Sequence, residues 1–83
     1  MKIYYVDTTW DYGDGVENEV SKKFYKDYDL AKQEFNSILE DTKNDWDNAY
    51  DNYIKYENDG YFRFDDENHE DYIECAVIEK EVI

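Results

Sequence analysis

The residues whose number and spacing could do chemistry in this sequence are its carboxylates. If the segment after Asp27 is helical, Asp29, Glu40, Asp47 and Asp51 fall on the stripe facing away from the core, and Glu34, Asp41 and Asp45 line one flank. Asp65, Asp66, Glu67, Glu70 and Asp71 then crowd into one polar stretch. Side chains three or four apart on a helix stand about 5–6 Å from one another. Duplex DNA carries a charge about every 1.7 Å of axis, or about 3.4 Å per strand. A rigid row of carboxylates is therefore a coarse imitation of a phosphate ladder, and the chemistry it offers is recognition of a basic surface. Like charges so placed destabilise a helix by about 0.2–0.5 kcal/mol a pair, a cost that a binding role would offset. The plain alternative is solvation, since an exposed helix face is normally charged and Lys26, Lys32, Lys43 and Lys55 offset part of this one.

Other chemistries find less support. A calcium loop needs oxygen ligands at fixed spacing and a glycine at its sharp turn, and neither the stretch from Asp7 to Glu19 nor that from Asp65 to Asp71 has that form. His69 is the one histidine, so a site with several imidazole ligands is ruled out, and an imidazole in a polar loop is ordinarily solvated. Ser21 and Ser37 lack a histidine partner of their own, and Cys75 lies in an apolar segment where a buried, inert thiol is expected. No glycine-rich phosphate loop or dinucleotide fingerprint occurs. With so many acids, no particular carboxylate pair marks an active site. The expectation is a protein that is not an enzyme and uses neither metal nor cofactor.

Composition sharpens the binding reading. Twenty-three Asp and Glu stand against nine Lys and Arg in 83 residues, a net charge of −14. Like charge disfavours nucleic acid and anionic membrane as direct partners and favours a basic protein surface. Mean hydropathy is −1.09, low enough to raise disorder. Disordered chains, however, are poor in aromatics and rich in Pro and Gly, whereas this one has ten Tyr, four Phe, two Trp, three Gly and no Pro. An ordered single domain over 1–83 is expected, with a thin core built from aromatic rings. A lone cysteine and the lack of a long apolar run point to the cytoplasm.

The elements that must position these acids follow from periodicity. Lys2 to Trp10 is β-branched and aromatic and predicts a strand, the run from Asp11 to Gly15 predicts a turn, and Val16 to Tyr25 predicts a second strand with Val16, Val20 and Phe24 as its apolar members. Asp27 is placed to cap a helix whose apolar positions are Ala31, Phe35, Ile38, Leu39, Thr42, Trp46, Ala49, Tyr50 and Tyr53. That stripe predicts a helix ending between Tyr53 and Glu57, with a kink near Asn44 and a stop at Asn58-Asp59-Gly60. Tyr61 to Phe64 and Tyr72 to Ile83 predict two more strands, separated by an acidic loop from Asp65 to Asp71. The expected fold is α+β in the order ββαββ, a mainly antiparallel four-stranded sheet with one long helix on one face. Trp10, Tyr12, Tyr61 and Phe62 lie near acids and could anchor an interface, although a core this small needs most of its rings for itself.

Over its full length the chain resembles the small acidic proteins that bacteriophages and mobile elements direct against host defences, the anti-CRISPR and anti-restriction DNA mimics. The likeness lies in size, charge, the acid-lined segment from Asp27 to Tyr53, the stretch from Asp65 to Asp71 and the Pro-free composition. It implies a stoichiometric inhibitor that acts in the cytoplasm of a bacterial host cell, fills the basic nucleic-acid channel of a host defence nuclease and needs no cofactor. The alternative is an interaction module that regulates a host protein without imitating DNA, for example by pairing along an exposed edge of the strand from Tyr72 to Ile83. A third reading, a divalent-ion binder, rests on the acidic stretch alone.

Overall fold

The computed structural model describes every residue except Asp14, Val16, Val20, Ser21 and His69, and of Glu19 only the backbone. The expected apolar strand members Val16 and Val20, and the lone imidazole, thus lie outside the described residues. In chain order the elements are β1 (Lys2–Tyr12), β2 (Asn18–Glu19), β3 (Phe24–Tyr25), α1 (Tyr28–Ala49), β4 (Tyr53–Asn58), β5 (Tyr61–Asp66) and β6 (Asp71–Glu81). β2 and β3 both pair with β1, through Thr9↔Glu19 with Trp10↔Asn18 and through Tyr4↔Tyr25 with Tyr5↔Phe24. With β6 on the other side of β1, they act as two short pieces of one edge strand. The sheet is therefore five strands wide, in the order β2/β3-β1-β6-β5-β4, antiparallel throughout.

This corrects the four-stranded ββαββ expectation to ββαβββ. The extra strand is β4, cut from what the apolar spacing assigned to the end of the helix. The helix runs unbroken through Asn44 and stops at Ala49, where Tyr50 turns to an extended backbone (φ −126, ψ 134) while its N–H still reaches the carbonyl of Trp46 at 2.9 Å. From Tyr53 side chains alternate: Tyr53, Lys55 and Glu57 lie on the helix side of the sheet, Ile54, Tyr56 and Asn58 on the other. Asp59-Gly60 is then a hairpin turn closed by Asn58↔Tyr61, not a helix stop, and Gly60 takes the left-handed backbone (φ +82) that this turn requires. The misleading periodicity has a physical basis. Tyr50 and Tyr53 do return to the helix's core ring, with centroids 4.5 and 5.2 Å from Trp46, one from the helix cap and the other from a strand.

β6 is not an edge. It pairs with β1 from Lys2↔Glu81 to Tyr12↔Asp71 and with β5 from Tyr61↔Ala76 to Asp65↔Tyr72. The reading that made Tyr72 to Ile83 a free edge is overturned over its first half, since both sides are occupied there. The outermost strands of the sheet are β4 and the β2/β3 pieces, and beyond Val77 β6 pairs with β1 alone among the described residues.

One face of the sheet meets α1. Val6, Ile73, Cys75, Phe62 and Phe64 from the strands close against Ala31, Phe35 and Trp46 of the helix. Phe62 and Phe64 lie 4.9 Å apart, with Phe35 5.7 Å from the first and Trp46 5.8 Å from the second. Fully burying rings of this size is the largest favourable term available to so short a chain, about 1.5–3 kcal/mol each. Among the described residues no helix covers the opposite face. On it Arg63 grips Asp65 with two hydrogen bonds of 2.9 and 3.1 Å, reaches Glu74 at 3.4 Å and lies over the Tyr72 ring.

Candidate functional site: an acidic helix end with an aromatic cleft

The helix has two unlike flanks. Lys32 and Lys43 project on one side, where the β4–β5 hairpin meets them: Lys32 Nζ lies 2.7 Å from Asp59 and Lys43 Nζ 2.7 Å from Glu57. The helix's own lysines are thus used to tie down the hairpin. Asp41 and Asp45 project on the other flank, exposed, and Asp29, Glu40 and Asp47 are exposed on the outer stripe. At 1.5 Å per residue the stripe acids stand about 16 and about 10 Å apart, far sparser than phosphates along a strand. The stripe alone is therefore a poor ladder. The density lies at the helix's C-terminal end, where Asp41, Asp45, Asp47 and Asp51 follow one another and no basic residue occupies the last turn. That end of a helix already carries partial negative charge from its free carbonyls, so these acids add to the field there instead of cancelling it.

The acidic stretch after β5 separates into different roles. Asp65 faces the uncovered side of the sheet and is held by Arg63. Asp66 is buried, 9 % exposed, and its Oδ1 accepts the Glu70 N–H at 2.7 Å, which makes it a structural acid of the turn. Glu67 and Glu70 are exposed, and Asp71 begins β6 half-buried. Glu34 turns inward: its Oε2 is enclosed with no hydrogen-bond partner among the described residues, and its charge acts on Cys75. Burial first, then the fields of Glu34 and Asp7, push the Cys75 thiol up to about 11, and the Thr8 hydroxyl hydrogen-bonds to its sulfur at 3.3 Å. Of the acids singled out from sequence, Asp65 and Asp66 are thus engaged within the fold and Glu34 is turned into it, while Asp47 pairs with Lys55 Nζ at 3.7 Å. Asp41, Asp45, Asp47, Asp51, Glu67, Glu70 and Asp71 gather toward one end, and Asp29 lies about 27 Å of helix rise from Asp47.

At that end the fold opens two adjoining clefts. One, of about 370 Å³, is lined by Tyr12, Asp45, Trp46, Ala49, Tyr50 and Asp71. The other, of about 360 Å³, is lined by Asp47, Tyr50, Asp51, Asn52, Tyr53 and Lys55. Tyr50 is the wall between them. Its hydroxyl donates a short hydrogen bond to Asp71 Oδ2, and burial together with that carboxylate holds the phenol protonated well above the usual tyrosine range. Tyr53 donates in the same way to Asp47 Oδ1 at 2.7 Å and is shifted in the same direction for the same reasons. These tyrosines are fixed donors that orient carboxylates and are poorly suited to moving protons near neutrality.

Sequence reasoning did not find Trp46, Ala49 and Tyr50 as cleft residues, because the stripe placed them in the core. It did mark Tyr12 as an aromatic among acids. Asp71 was marked among the acids, but its long-range pairing with Tyr50 had no local signal. Among the described residues no group of three or more His, Cys, Asp and Glu side chains is placed to hold a metal ion, and no helix is long and apolar enough to cross a membrane. No protein-family model, curated protein or solved structure matches this chain.

Proposed function

We propose that this chain is an acidic inhibitor that docks the C-terminal end of its helix into the basic nucleic-acid channel of another protein, of the kind found in bacterial defence nucleases. One observation carries the reading: exposed carboxylates Asp41, Asp45, Asp47 and Asp51 converge, with no basic residue in the last helical turn, on the end of a helix whose dipole is already negative there. A fold that needed only solubility would gain by placing cations in that turn, yet the helix lysines are used elsewhere, and Lys55 of β4, 3.7 Å from Asp47, is the cation that meets this group of four acids among the described residues. Long-range attraction would speed encounter, and the clefts would supply shape.

The test is competition. Purified guide-directed and restriction nucleases are assayed for duplex binding with the chain added at stoichiometric amounts. The expected result is displacement of DNA from at least one of them, lost when Asp45, Asp47 and Asp51 are changed together to Asn and retained when Asp29 and Glu40 are neutralised. Unaltered displacement by the triple variant would remove the helix end from the interface.

A second reading is favoured by the uncovered sheet face, where Phe24, Ile54 and Tyr56 are half or more exposed (56 %, 50 % and 56 %). It makes the chain an interaction module whose target is held through that face. A complex that persists under saturating duplex DNA and is broken by Tyr56→Ser would select it.

A further inference from the structure

The cleft between Tyr12 and Asp71 has a composition that the acidic surface alone does not explain. Its floor is the Trp46 ring, only 2 % exposed, with Tyr50 4.5 Å away and Tyr12 6.4 Å away by ring centroids. Tyr12 is half exposed and stands at the rim. Asp45 rises from the helix on one side, and Asp71 from the start of β6 on the other. Asp45 makes no hydrogen bond or ion pair among the described residues, whereas Asp71 is oriented by the Tyr50 hydroxyl through Oδ2. Ala49, the smallest of the lining side chains, keeps the space between them open. A volume of about 370 Å³ falls at the small end of ligand clefts, which run to about 300–1,000 Å³.

From this geometry we infer a receptor site for one arginine side chain of a basic protein segment, with its guanidinium over the Tyr12 ring and its N–H groups directed at Asp45 and Asp71. The guanidinium fits better than an ammonium for stated reasons. It is planar and weakly hydrated, so it stacks on an aromatic face at small desolvation cost, and it presents donors in several directions to carboxylates on two walls. A neutral ligand would leave two carboxylates beside the negative helix end without compensation. The inference rests on the proposed function only for the source of the arginine, which is the docking partner. The cleft's preference for the side chain is a property of this chain by itself.

The experiment uses the intact chain labelled for nuclear magnetic resonance and three short capped peptides that differ at one position: arginine, lysine and citrulline, the last being the neutral isostere of arginine. The arginine peptide is expected to shift the Trp46 indole and the Tyr12 and Ala49 signals along one saturable curve. The lysine peptide should bind about threefold or more weakly, and citrulline should not bind. Tyr12→Leu keeps an apolar side chain at the rim and removes its π face; Asp45→Asn removes one carboxylate. Each should weaken the arginine peptide by about threefold or more. Asp29→Asn, at the far end of the helix, should leave it unchanged. Retained amide spectra show that the variants are folded, and free arginine as a further ligand separates a metabolite site from a side-chain site. Equal binding of arginine and lysine, shifts spread over the acidic surface, indifference to Tyr12→Leu, or preference for free arginine over the peptide would each overturn the inference. Because no nuclease takes part, failure here leaves the competition with DNA standing, and failure of that competition leaves the cleft's selectivity to be read separately.

Discussion

Tyr50 does more than fill space. It supplies the cap N–H that closes the helix, stacks on Trp46, separates two clefts and donates its hydroxyl to Asp71 across 21 residues of sequence. Removing that hydroxyl leaves a half-buried carboxylate without its donor, which costs about 1.5–3 kcal/mol for a hydrogen bond to a charged group. Tyr50→Phe should therefore lower the urea midpoint without changing the slope, and should loosen Asp71 in the cleft. Tyr61 gives a second test at this scale. Burial first, then the 2.7 Å hydrogen bond to Glu74, push its phenol up from 10.0 to about 12. A phenol raised on folding contributes stability that is complete below the unfolded value of 10.0 and is lost as pH climbs toward about 12. Alkaline titration followed by circular dichroism should show stability falling over that window, and Tyr61→Phe should make the fall shallower.

At the scale of elements, the helix end is where stability and the proposed role pull apart. Asn48 lies exposed in the last turn, next to the acid flank, and a lysine there would meet both the free carbonyls and Asp45. Asn48→Lys should stabilise the fold by about 0.3–1 kcal/mol in chemical denaturation. The same change should weaken binding to a basic partner. How much of this was legible in the sequence depends on the range of the interaction concerned. The stripe from Ala31 to Trp46 and the acids opposite it were readable, because a helix face is set by neighbours three and four residues away. The helix end was not, because Tyr50 and Tyr53 satisfy the helical spacing while meeting Trp46 by another route. The turn signal Asp59-Gly60 was present and pointed to a hairpin once Tyr53 to Asn58 is seen to alternate. The acidic stretch looked uniform, yet Arg63 claims Asp65, the turn encloses Asp66, and Asp71 is drawn to Tyr50. Such assignments depend on strand register, which no local pattern in this stretch contains.

For the whole molecule, a net charge of −14 on 83 residues opposes compaction, and salt relieves that repulsion. The screening length falls from about 10 Å at 0.1 M to about 3 Å at 1 M salt. Thermal stability should therefore rise with added sodium chloride, measured by calorimetry, while affinity for a basic partner falls over the same range. A protein whose acidity served only the fold's solubility would show the first trend with no partner to show the second.

The longest ladder in the sheet joins Lys2–Tyr12 to Asp71–Glu81, segments that are far apart in the chain and central in space. Most of the fold leans on that pair: α1 packs across it, β2 and β3 pair with β1, and β5 joins through β6. The entropy of closing so long a loop has to be met before the helix has a floor to cover, which makes for slow, cooperative folding dominated by non-local contacts. A fragment that holds the acidic helix but lacks either outer strand would have the charges and no scaffold. The negative end would then be a flexible polyelectrolyte, with neither the cleft nor the fixed geometry that a partner could read.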